Sequence, residues 1–368
     1  MMKVSLLTLH SVKNYGSVLQ TFATQEYLRE KNIDVEIVDY IRPDTSDTNI
    51  LEAWTTNDSG VVKQLKKIVL LPTLKRWDKV FNGFLKAKIK LSKEKYMKNN
   101  DFFEKGIPEA DIYCVGSDQV WNSKWNRGID TTYFLDYVPN NKKKISFASS
   151  FGKSHLDNFE KEITFEYLKK FDALSVRENS AVEIIKDLGL REAIQILDPT
   201  LLFKKEQWEE FSTDKLIAED YLLIYQLNSN KEFDRYAKDY ARKNNLKVVR
   251  ICTRYDQFIK VGKSVIIPEI EEFVSLFINA KCVLTDSFHA TAFSINLNVP
   301  FISIYPAEFS TRISSILELM HLTDRHLKKY NLDQINISNI NFDYANNVLN
   351  EYRNRTDSFI EKNFRVGE

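Results

Sequence analysis

At 368 residues the chain is long enough for two domains, and 43% apolar with 28% charged residues describes a globular protein, not a disordered or fibrous one. Lys plus Arg number 52 against 51 Asp plus Glu, a net charge of +1, so no global basic excess points to nucleic acid. Cys114, Cys252 and Cys282 lie far apart without metal-ligand spacing, which reads as buried thiols in a reducing compartment. The N-terminus runs directly into a strand pattern, so no signal peptide is expected, and no apolar run approaches the ~20 residues of a membrane span. A cytoplasmic protein is expected.

Residues 4–9 read as a buried strand, 10–17 as a polar loop, 18–31 as an amphipathic helix and 35–40 as a second strand, together a βαβ unit. The loop holds His10, Asn14, Tyr15 and Gly16; the glycine lets backbone approach a ligand, but no Gly-rich dinucleotide fingerprint is present. Residues 41–60 read as polar loop. The segment 61–98 carries eleven lysines and Arg76 against only Asp78 and Glu94, interleaved with Val61, Leu65, Ile68, Trp77 and Phe81. Basic amphipathic helices of this kind suit an anionic membrane surface, while a helical insertion with a solvated lysine face is the competing reading. No nucleic-acid motif accompanies the charge, and none is expected as a partner.

A strand at 110–115 leads into Gly116-Ser117-Asp118-Gln119-Val120-Trp121-Asn122. A carboxylate, two amides and an aromatic after a strand end are what a sugar needs, although a turn with a packed tryptophan would read the same way. Residues 144–154 repeat the pattern of strand and small polar loop, ending at Gly152 and Lys153. The strand 173–176 ends in Arg177, placed either to fork onto a carboxylate or phosphate ligand or to pair with Glu178. A short strand at 194–197 closes this half, Asp198-Pro199-Thr200 breaks the chain, and a polar helix at 204–220 bridges to the next domain.

The second half starts with a strand at 221–225 and alternates helix and strand through 252, with a further strand at 265–267 and a helix at 270–279. Its informative stretch is 281–304. The apolar run Cys282-Val283-Leu284 reads as a buried parallel strand, and Thr285, Asp286 and Ser287 are all N-cap types. His289 then falls in the first turn of a helix that Pro300 ends, at the rim where such sheets bind ligands. A histidine that merely packs or caps is the competing reading. Arg312 follows the loop 306–311 after a strand at 301–305, and a helix is expected at 344–363.

Taken in order, these stretches resemble the polysaccharide pyruvyltransferase family. The matching pieces are Asn14-Tyr15-Gly16-Ser17 after His10, Gly116 through Asn122, Ser149-Ser150-Phe151-Gly152, Ser175-Val176-Arg177-Glu178, Asp198-Pro199-Thr200-Leu201-Leu202, and Thr285 through His289 to Pro300. The resemblance implies an α/β fold of GT-B type, with two Rossmann-like domains facing across a cleft. It implies transfer of pyruvate from phosphoenolpyruvate, as co-substrate, to two hydroxyls of a sugar as a cyclic ketal, with no cofactor and no metal. His289 occupies the position of the family's acid/base histidine, and Arg177 that of its arginine. Some relatives place a lysine about twenty residues past the histidine, where this chain has Arg312.

The expected domains are 1–203 with a basic helical insertion at about 61–100, 218–335, and a C-terminal helix at 340–368 packing back on the first domain. The donor is expected on Arg177, Ser287, Arg312 and Lys153, and the acceptor on His10, Asn14, Tyr15, Gly16, Asp118, Gln119, Trp121 and Asn122. A galactose-type acceptor is expected, in exopolysaccharide or capsule synthesis; a polyprenyl-diphosphate-linked one would place the protein at the cytoplasmic face of the inner membrane. The alternatives are a GT-B glycosyltransferase using a nucleotide sugar and a non-catalytic sugar- or membrane-binding module.

Overall fold

The structure is a computed structural model that describes residues 1–45, 50–55, 58–228, 230–305, 311–332 and 340–365. The loop expected before Arg312 lies almost wholly outside the described residues. The first half runs β1 (Met2–Leu7), α1 (Tyr15–Glu30), β2 (Ile33–Tyr40), α2 (Ile50–Trp54), α3 (Gly60–Trp77), α4 (Gly83–Lys88), β3 (Leu91–Tyr96), α5 (Asp101–Lys105), β4 (Ile112–Val115), β5 (Lys143–Ser146), α6 (Asn158–Leu168), β6 (Leu174–Val176), α7 (Asn179–Asp187), β7 (Ala193–Gln195) and α8 (Pro199–Leu202). The second half runs α9 (Lys205–Phe211), β8 (Tyr221–Tyr225), α10 (Lys231–Lys243), β9 (Lys247–Cys252), β10 (Lys263–Ile266), α11 (Ile270–Ile278), β11 (Cys282–Thr285), α12 (Phe288–Asn296), β12 (Phe301–Ser303), α13 (Thr311–Leu319) and α14 (Asp343–Asn363).

The chain forms two compact units, one of residues 1–49, 84–202 and 350–368, the other of 50–83 and 203–349. In the first unit the sheet order is β3-β2-β1-β4-β5, all parallel. Its central strands are covered on both faces, which is why Val4, Leu6, Val35, Ile37, Ile112 and Cys114 are fully buried or nearly so. The edge strand β3 is different: Lys93, Glu94 and Lys95 are exposed, charges that discourage pairing with a further strand. A short pair, β6 and β7, lies beyond β5 through parallel bridges at Ile145–Ala173 and Ser149–Val176. The C-terminal part of α14 belongs to this unit, where Tyr27 donates its hydroxyl to Asp357 at 2.7 Å and Phe364 meets Phe147 edge to face.

The second unit repeats the topology, with parallel order β10-β9-β8-β11-β12. In each sheet, strand order reverses between the first strand and the fourth, and ligands of such folds bind beyond the strand ends at that point. Residues 50–83 group with this unit and not with the N-terminal one that sequence order suggests. The reason is specific bonding: Arg76 donates to the Ile267 carbonyl at 2.9 Å and pairs with Glu269 at 2.8 Å, and the Trp77 indole donates to the Thr253 carbonyl at 2.8 Å. Among the described residues no helix is long and apolar enough to cross a membrane.

Candidate functional site

In the first unit the loops after β1 and β4 flank the reversal point. Asn14 caps α1, its side chain accepting the Gly16 N–H at 2.8 Å, and Tyr15 is buried behind it. His10 is buried with Nε2 3.1 Å from Asp39 Oδ1, so its ring faces β2. Asp118 stands at φ +72°, a conformation side chains rarely adopt, with Oδ2 accepting the Ser17 hydroxyl at 2.7 Å. Gln119 accepts from Asn122 Nδ2 at 2.7 Å, and Gly152 lies against both. At φ +60° with these amides where a Cβ would stand, that position requires glycine.

Trp121 lies in the core. Its indole N–H donates to the Tyr133 carbonyl at 2.9 Å, and Phe134 and Phe151 pack on it with centroids at 5.7 and 5.0 Å, so no face is offered for stacking a sugar. Lys153 donates to Ser123 at 2.7 Å and Glu160 at 2.6 Å. Burial raises the Glu160 carboxyl, but the hydrogen bonds from Lys153 and Ser123 outweigh it and leave the group below its ordinary value.

Arg177 is buried and anchors an acidic network. Nε donates to Glu178 Oε1 at 3.0 Å and Nη1 to Asp198 Oδ2 at 2.7 Å. Asp198 also accepts from Ser117 at 3.1 Å and from the Thr200 N–H and hydroxyl, while Glu178 accepts from Ser150 at 2.8 Å. Burial works against the guanidinium charge, but Glu178, Asp198 and Asp118 together hold it more firmly protonated than usual. Sequence reading singled out Arg177 and Asp118, but missed Asp198 and Ser17 as parts of the same network. For Asp198 the Asp-Pro-Thr sequence was the available signal, since its side chain closes the turn onto Thr200.

In the second unit β11 delivers Thr285, Asp286 and Ser287 to the reversal point beside β8. Asp286 accepts the N–H groups of Leu227 and Asn228 at 2.7 and 2.8 Å, tying together the loops after β11 and β8. Burial raises its carboxyl above the ordinary value, against the pull of those bonds. Ser287 caps α12, its hydroxyl accepting from the Ala290 N–H at 3.4 Å. His289 follows in the first turn and is 7% exposed. Its ring meets Phe288 edge to face, centroids 5.2 Å apart, and the Arg312 guanidinium lies over the same Phe288 ring at 5.7 Å. His289 and Arg312 are thus brought to one aromatic side chain; the sequence led to an expectation of Arg312 near the histidine, but not of Phe288 as the residue they share. A helix N-terminus, an imidazole and a guanidinium are groups of the kind that can bind an anion and carry a proton. Among the described residues no group of three or more His, Cys, Asp or Glu is arranged to hold a metal ion.

A family model described as polysaccharide pyruvyl transferase matches residues 14–308. A comparison with curated proteins returns no match. Solved structures with a similar fold include a Listeria monocytogenes protein described as a UDP-N-acetylglucosamine 2-epimerase, 12% identical, covering 100% of this chain and 98% of its own, with TM-score 0.54. A Staphylococcus aureus MnaA structure with UDP is 10% identical, covers 91% and 86%, and has TM-score 0.52. The Methanocaldococcus jannaschii UDP-GlcNAc 2-epimerase with UDP-GlcNAc and UDP is 13% identical, covers 98% and 100%, and has TM-score 0.50. At such identities the likeness is one of fold, and the fold is of GT-B type.

Proposed function

The chain belongs to the polysaccharide pyruvyl transferase family, and from that premise we propose that it moves pyruvate from phosphoenolpyruvate onto two hydroxyls of a saccharide as a cyclic ketal. Family membership itself carries a transferase of polysaccharide biosynthesis and a saccharide acceptor. The donor, the ketal and a lipid-linked acceptor are our reading.

The single observation that supports it best is the grouping of His289, Phe288 and Arg312 at the start of α12. In the proposed reaction protonated His289 gives its proton to the methylene carbon of the enol ester, leaving an oxocarbenium-like centre at the adjacent carbon. One sugar hydroxyl attacks that carbon and its proton returns to the imidazole. The carbon–oxygen bond to phosphate then breaks, the second hydroxyl closes the ring, and its proton leaves with inorganic phosphate. One methyl group, one ketal and one phosphate result, with no redox change. A side chain whose ordinary pKa lies near neutrality suits both transfers.

Arg312, with Ser287 at the helix start, is proposed to hold the donor's carboxylate and phosphate. Asp118, Gln119 and Asn122, with Asn14 and Gly16, are the proposed acceptor elements of the first unit. Arg177 and Lys153, both bonded to carboxylates, are proposed to position those loops. Phosphate release from phosphoenolpyruvate with galactose-type acceptors tests the reading. Protection against heat by a nucleoside diphosphate but not by phosphoenolpyruvate would favour a nucleotide-sugar transferase instead.

A further inference from the structure

Helix α3 presents an apolar row to solvent. Val61, Leu65 and Ile68 recur at helical spacing and are 74, 57 and 62% exposed, with Val62 and Val69 beside them at 54 and 56%. The lysines between them do not share that face. Lys63 and Lys67 reach Glu52, and Lys66 reaches Asp58, which holds three of the segment's cations in pairs within the same unit. Exposed Lys75 continues the row two turns beyond Ile68, and Lys79 follows at 72% exposed, with Glu269 at 4.0 Å.

A second exposed apolar feature adjoins it. The 3-10 turn Tyr255–Ile259 carries Phe258 at 62% and Ile259 at 78% exposed. The Tyr255 N–H donates to the Thr73 hydroxyl at 3.1 Å, which brings the turn against the side of α3 that carries Val69 one turn earlier. Exposed Lys263 follows the turn. Two elements far apart in sequence thus offer bulky apolar groups edged by lysines. Isolated apolar side chains on a surface need no explanation, whereas several of them on two adjoining elements do.

We propose that the apolar face of α3 and the Phe258–Ile259 tip dock the protein on an anionic lipid bilayer, the apolar groups entering the interface and Lys75, Lys79 and Lys263 meeting the headgroups. Charge decides this occupant over a second copy of the chain: two such faces would oppose lysine to lysine, whereas an anionic surface complements them. The proposal deepens, and rests on, the reading of a lipid-linked saccharide acceptor.

The test is co-sedimentation of the full chain with vesicles of phosphatidylcholine and phosphatidylglycerol in equal parts, and with phosphatidylcholine alone. Binding to the mixed vesicles at low salt is expected, falling about tenfold on phosphatidylcholine alone or in high salt. Leu65→Asp with Ile68→Asp, and separately Phe258→Ser with Ile259→Ser, are expected to weaken mixed-vesicle binding about tenfold while phosphate release with a soluble acceptor and thermal unfolding stay unchanged. Wild type that ignores both vesicles, or variants that bind as wild type does, would overturn the proposal. So would a dimer in sedimentation velocity that Ile68→Asp splits. Vesicle binding needs neither donor nor acceptor, so absence of phosphate release in the wild type counts against pyruvyl transfer alone.

Discussion

Arg177 donates through Nη1 to Asp198 Oδ2 at 2.7 Å, with both side chains buried. Arg177 follows β6 and Asp198 follows β7 at the carboxyl ends of this parallel pair, so the bond fixes the end of β6 to the turn that begins α8. Glu178 bonds the same guanidinium, and Ser150 ties Glu178 to the loop that contains Gly152. Removing one partner of a buried pair leaves the other charge uncompensated. Asp198→Ala is expected to lower stability by about 3–5 kcal/mol, measured by chemical unfolding. A loss below about 1 kcal/mol, the value of an exposed pair, would mean that the bond does not anchor these loops.

Gly152 occupies φ +60° with Gln119 and Asn122 where a Cβ would point. Gly152→Ala is expected to cost about 2 kcal/mol, from backbone strain and displacement of the two amides. The shifted amides should also raise KM for the acceptor more than KM for phosphoenolpyruvate. Steady-state kinetics with each substrate varied in turn makes the comparison, and an equal change in both KM values would detach the amides from the acceptor.

The central strands of both sheets were legible in the sequence because burial on both faces leaves a continuous apolar run, as in Cys282-Val283-Leu284. The edge strand β3 was not, because Lys93-Glu94-Lys95 face solvent and read as part of a basic helical segment. The allegiance of 50–83 was hidden for a different reason: it depends on Arg76 and Trp77 reaching Ile267, Glu269 and Thr253, bonds with no local signature. His289 and its helix start were legible from three N-cap residues in a row. The indole of Trp121 was not, since an aromatic after a strand end looks alike whether it stacks on a sugar or fills a core.

Asp286 offers a pH test. Burial raises its carboxyl above the ordinary range, while the Leu227 and Asn228 N–H groups pull the other way. A raised value in the folded state means that this group's contribution to stability is full below about pH 4 and is lost as pH rises through the folded value. Asp286→Asn removes the titration. The stability advantage of wild type over Asp286→Asn is therefore expected to be largest near about pH 4 and smaller near about pH 7, read by urea unfolding at each. A difference independent of pH would contradict the assignment.

Arg312 lies over Phe288 at 5.7 Å. If it holds the donor's anionic groups, Arg312→Ala should raise KM for phosphoenolpyruvate by roughly 10- to 100-fold, the range expected for losing a charge-assisted contact. Arg312→Lys should recover part of that loss, since it keeps the charge but not the planar fork. An unchanged KM in Arg312→Ala would remove this residue from the donor site.

The most direct measurement is phosphate release from phosphoenolpyruvate by His289→Gln with a competent saccharide acceptor, beside protection of the same variant against heat by phosphoenolpyruvate. With His289 as the proton carrier, kcat falls by about 10²–10⁴ while donor protection and folding are retained. Wild-type turnover in His289→Gln would contradict the assignment.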